Sequence, residues 1–210
     1  FLPGAFREAD VVTHLVEQVK QLSQQPDLNA RARQLVELQL EPRSDVKPPT
    51  QQELNEAIAA ADAAARAEIA ERARNVRKEG WQQDKPELVE AAIPVFEALV
   101  SSDTEGKDYI WRGQLAFALK DKPQPDYARA ESLLTQNDSG FLWYEINRAL
   151  CRILQDPNFE QGQPSADEVR ERIIDDLKAS ISEWEKARPP IKEITDWLAL
   201  NGLTVADVQA

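Results

Sequence analysis

The chain has 210 residues, with 25 Lys and Arg set against 37 Asp and Glu, for a formal charge of −12. A pI near 4.7 argues against a nucleic-acid partner, whose phosphates need a basic face, and no apolar run reaches the length that spans a membrane. With 42% hydrophobic and 30% charged residues, what is left is an acidic globular chain able to bury a sizeable core.

A single cysteine cannot form an internal disulfide, so the fold does not depend on an oxidising compartment and a cytoplasmic setting is expected. Methionine is absent, including at position 1, where Phe1 stands. An excised part of a longer signalling or regulatory protein is therefore expected.

Thirteen prolines and only seven glycines fall between periodic stretches, and no run of alternating β-branched residues calls for a strand. The first predicted helix spans about 5–24, with Val12, Leu15, Val16, Val19 and Leu22 on one face. Pro26 breaks it, and a second helix runs through Leu28, Ala32, Leu35 and Val36 to about Leu40. The polar, proline-bearing stretch 42–49 reads as a linker. Thr50 and Glu53 have capping-box spacing, opening a long helix over 51–79 with Leu54, Ile58, Ala61, Ala65, Ile69, Ala73 and Val76 as its stripe. Gly80 is expected to stop it, and the alanine-rich stripe suggests self-association through this helix.

Asp84 is expected to cap a helix containing Pro86, kinked at the internal Pro94. Further helices are predicted over 107–120, 126–136 and 140–155. Ser165 and Glu168 repeat the capping-box spacing and start a helix carrying Val169, Ile173, Leu177, Ile181 and Trp184 up to Pro189. A helix over 191–200 and a short turn at 204–208 close the chain. The fold class is all-α. The organisation is an N-terminal helical pair (1–41), a linker (42–49), stacked antiparallel helical hairpins (50–188) and C-terminal capping helices (189–210).

Tyr109-Ile110-Trp111 and Phe141-Leu142-Trp143 share one pattern 32 residues apart, a period that stacked helical hairpins produce. Val89, Ala92 and Phe96 match Tyr127, Ala130 and Leu134 at i, i+3 and i+7. With Tyr109 and Gly113 early in one helix and Ala128 and Ala130 early in the next, residues of about 85–155 resemble the tetratricopeptide-repeat family. The loop before Asp126 is longer than that family's unit, and Trp143 is not followed by its glycine. The resemblance implies an α-solenoid that holds a partner protein or peptide in a concave groove.

The candidate chemistry is sparse. His14 is the sole histidine and has no Cys or Ser context for a metal site or triad. Cys151 reads as a small core residue; the alternative is a reactive thiol, if Arg148 and Arg152 point at it. Asp167, Glu168, Glu171, Asp175 and Asp176 read as a solvated face, without the motifs that accompany a cation site. Phosphate-cradling glycine loops and hydrolase or zincin motifs are absent.

Charge is uneven: residues 1–80 hold 11 bases and 13 acids, net −2, while 81–210 hold 14 and 24, net −10. All five tryptophans fall in the acidic part. Most are expected in the core, with Trp111 and Trp143 in equivalent roles. The resulting expectation is a non-enzymatic scaffold without cofactor or metal, binding a basic protein or peptide. Its candidate contacts are Tyr109, Arg112, Asp126, Tyr144 and Asn147. The rival reading is an all-α enzyme or divalent-cation protein using carboxylates on helix faces.

Overall fold

The computed structural model describes residues 27–42, 44–106, 108–136, 141–187 and 190–209. Among them the regular structure is entirely helical. The predicted helix over 5–24, and His14 with it, lie outside the described residues.

Helix α1 (Leu28–Leu40) starts at Asp27, whose carboxylate accepts from the Ala30 N–H. The stretch 44–50 that follows carries no helix. Helix α2 (Gln51–Ala60) opens with the expected capping box. Thr50 N–H donates to Glu53 Oε2 at 2.7 Å, and Glu53 N–H donates to the Thr50 hydroxyl at 3.3 Å.

The single helix expected over 51–79 is two helices. The chain turns extended at Ala61 and Asp62, and Asp62 caps α3 (Ala63–Gln82) by accepting from the Ala65 N–H at 2.8 Å. Asn29 fastens this corner, donating to Asp62 Oδ2 at 2.7 Å while its own Oδ1 accepts from the Asp62 N–H at 3.0 Å. Gly80 is not a stop; it lies buried inside α3. A Cβ there would sit 2.8 Å from the Lys85 carbonyl oxygen and 2.9 Å from the Val89 nitrogen. Glycine at this position lets the turn at 83–85 close tightly onto the start of α4. Asp84 adopts φ +54° in that turn, a left-handed conformation that aspartate tolerates better than most residues. It is therefore a turn residue and not the predicted cap.

Helix α4 (Pro86–Ser102) runs through Pro94. Gln39 and Gln51 donate side-chain hydrogen bonds to the Ala91 and Pro94 carbonyls, at 3.2 and 3.0 Å. Helices α5 (Tyr109–Asp121), α6 (Tyr127–Thr135) and α7 (Leu142–Gln155) follow, each packed on the one before, with α5 also touching α3 and α7. Short α8 (Pro157–Glu160) leads to α9 (Asp167–Ala179), which packs on α7. Helices α10 (Ile181–Trp184), α11 (Lys192–Leu200) and α12 (Val205–Gln209) complete the chain.

Ser165 does not cap α9; the cap position is Ala166, with no side-chain bond. The Ser165 hydroxyl is buried, donating to Asp156 Oδ2 at 2.5 Å and accepting from Trp197 Nε1 at 2.8 Å. The predicted continuous helix through Trp184 is interrupted at Ser180.

Two apolar clusters fill the interior. The first takes buried faces of α1 to α6, including Ala32, Val36 and Leu40, so the N-terminal helix shares a core with the helices after the 42–49 stretch. The whole stripe Leu54, Ile58, Ala61, Ala65, Ile69, Ala73 and Val76 is buried in it. That stripe is used within the chain and is not offered to a second copy. The second cluster unites α7, α9, α10, α11 and α12 around Trp184 and Trp197, so the 189–210 helices share its core. Helix α7 belongs to both, giving Tyr144 and Cys151 to the first and Ile146, Ala149, Leu150 and Ile153 to the second.

Candidate functional site

A cleft of about 410 Å³ opens between α3 and α5, with Phe96 of α4 among its lining. Its α3 wall presents Ala63, Ala67 and Ala70, at i, i+4 and i+7; Ala63 and Ala67 are exposed, and Ala70 also packs on the first cluster. The α5 wall presents Ile110, Trp111 and Gln114. Small residues on one wall and large apolar ones on the other leave room for an inserted side chain.

The cleft's charge is balanced: Arg66 and Arg74 stand with Glu71 and Asp108. Arg74 is engaged by Glu71 at 3.0 Å. Arg66 is different: its Nε is buried and has no hydrogen-bond partner among the described residues. A buried donor left unsatisfied costs about 1–3 kcal/mol, so a shift of the Arg66 side chain that brings Nε to an incoming oxygen acceptor is rewarded. Beside the cleft, Arg77 is committed: it lies 5.5 Å from the Phe117 ring centre, donates to Gln114 Oε1 at 3.2 Å and pairs with Asp121 at 3.6 Å. Burial holds its pKa below the ordinary arginine value.

Apolar exposure continues over the starts of α5 and α7. Ile110 is 50% exposed and Trp143 41%, with Tyr109 and Phe141 similarly open. Tyr144 joins these starts: its ring packs edge-on to Phe141 at 4.9 Å, and its hydroxyl donates to the Tyr109 carbonyl at 3.5 Å. The aromatic echo read from the sequence thus falls at two helix starts that meet. Its two tryptophans differ, however. Trp111 is half-buried against the first cluster, whereas Trp143 is exposed. Trp81 is also exposed, so two of the five tryptophans lie outside the core.

The five sequence-derived contact residues are not one constellation. Tyr109 is at the exposed start of α5. Arg112 turns back to the Gly106 carbonyl. Asp126 caps α6, accepting from the Arg129 N–H at 3.1 Å. Asn147 donates to the Trp143 carbonyl at 2.7 Å. Tyr144 is 3% exposed and so a core residue rather than a contact; burial pushes its phenol up to about 12. The cleft residues Arg66, Ile110 and Gln114 were missed. The available signal was the second alanine row of α3, Ala63, Ala67 and Ala70, outside the buried stripe.

The acidic face divides. Asp167, Glu168, Glu171 and Asp175 are exposed, but Asp176 is 3% exposed. It accepts from Arg148 Nη2 and Arg152 Nη1, each at 2.6 Å. Those arginines therefore do not activate Cys151, whose thiol burial pushes up to about 12. Among the described residues, no group of three or more His, Cys, Asp or Glu is placed to hold a metal ion. Likewise no described helix is long and apolar enough to cross a membrane. Comparison with protein-family models, curated proteins and solved structures finds no match.

Proposed function

We propose that the chain is a protein-interaction module that seats a segment of a partner in the cleft between α3 and α5. The observation that carries this reading is the cleft itself: an open, largely apolar site holding an arginine nitrogen that lacks an acceptor. An apolar side chain of the partner fits between Ala67 and Trp111, and a carbonyl or carboxylate oxygen meets Arg66. The exposed starts of α5 and α7 extend the contact area, as aromatic anchors do at interfaces.

The chain's charge of −12 steers a basic partner towards it and makes the encounter salt-sensitive. The stacked hairpins fit a degenerate tetratricopeptide-like solenoid, and the buried, disulfide-free Cys151 fits the cytoplasm.

The test is affinity capture at two salt concentrations with the chain and with Ile110→Ser and Trp111→Ala variants, followed by binary binding of each captured protein. The expected result is a small salt-sensitive set whose direct binding both variants weaken. A set that binds all three chains equally would overturn the assignment to the cleft.

A further inference from the structure

The two apolar clusters meet on one helix. Helix α7 gives opposite faces to the two halves, and beside it the seam between α6 and α9 is ionic rather than apolar. Glu131 of α6 is its hub. Glu131 Oε1 accepts from Arg152 Nε and from Arg172 Nη2, each at 2.8 Å, and Glu131 Oε2 accepts from Gln155. Arg152 reaches on to Asp176 Oδ2 at 2.6 Å and to the Arg172 carbonyl at 2.9 Å. Arg148 closes the far end, donating to Asp176 and to Glu145. Such chains have a known imbalance: a buried ion pair adds little net stability when complete, yet removing one partner strands the other and is strongly destabilising. A seam built this way is sensitive to the loss of one charge, unlike the apolar clusters on either side.

We propose that Glu131, Arg152, Arg172 and Asp176 form a clasp that couples the two halves, and that weakening it lets the helices from α9 onward open as a unit. Opening in this way uncovers the Ile146, Leu150 and Ile153 face of α7 while the α3–α5 cleft stays intact. The clasp is separate from the cleft, so the inference stands or falls independently of the partner reading.

Hydrogen exchange of the full chain, read by mass spectrometry, tests it with two variants. Glu131→Gln removes the hub charge. Arg172→Gln removes its more exposed partner and leaves Arg152 paired, so it decides the matter if the first variant does not fold. The expected result is exchange about tenfold faster across α9, α11 and α12 in Glu131→Gln, a smaller acceleration there in Arg172→Gln, and unchanged exchange in α2 to α4. Acceleration spread evenly over both halves, or none in either variant, would overturn the proposal.

Discussion

Gly113 of α5 lies directly against the Tyr144 ring of α7, with no space for a Cβ between them. This contact sets how closely the two helices approach, and through Tyr144 it joins the Tyr109 and Phe141 ends of the apolar surface. Gly113→Ala must push the buried ring aside, an overpacking cost of about 1–3 kcal/mol. The expected outcome is a lower denaturant midpoint with an unchanged slope; an unchanged midpoint would show that α5 and α7 have slack.

The Ser165 hydroxyl bridges Asp156 and Trp197 at the second cluster. Ser165→Ala leaves Trp197 Nε1 without its acceptor and Asp156 Oδ2 without its Ser165 donor. Both are buried, so a loss of about 2–3 kcal/mol is expected. Ser165→Thr retains the hydroxyl and should recover part of it. Chemical denaturation of the two variants checks this.

Acid should act first at the caps of α2 and α3. Hydrogen bonds from Thr50 hold the Glu53 carboxyl below its ordinary value, and those from Ala65 and Asn29 do the same for Asp62. Such a carboxylate stabilises fully above its ordinary pKa of about 4, and this is lost as pH falls through the depressed folded value. Amide protection, with the intrinsic pH dependence of exchange divided out, should therefore fall at the first turns of α2 and α3 as pH is lowered from neutrality to about pH 3.

Cys151 should resist alkylation in the native state. Its thiol is buried and pushed up to about 12, so little thiolate exists at neutral pH. Iodoacetamide labelling is expected to track unfolding; rapid labelling of the folded chain would contradict this account of its surroundings.

Periodicity made the helical content legible because a one-sided apolar stripe specifies a helix whichever neighbour it meets. Boundaries were legible where a local side chain decides them, as at Thr50 and Glu53. They were lost where the deciding partner is remote: Asp62 is held by Asn29, and Ser165 is drawn away from α9 by Asp156 and Trp197. Asp176 looked like its solvated neighbours because its two arginines lie on α7, far away in sequence. The cleft was hidden for a related reason. An exposed position on α5 becomes a cleft wall only once α3 is placed opposite it.

The most direct test of the account is site-specific photo-crosslinking of the whole chain. A crosslinking amino acid is placed at position 67 in the cleft or, as a control, at position 171 on the solvated face of α9. The account predicts that position 67 captures a discrete partner, that Arg66→Gln and added salt diminish this capture, and that position 171 captures nothing above background. Equal capture from both positions, or capture at 67 indifferent to Arg66, would contradict the assignment of the cleft as the binding site.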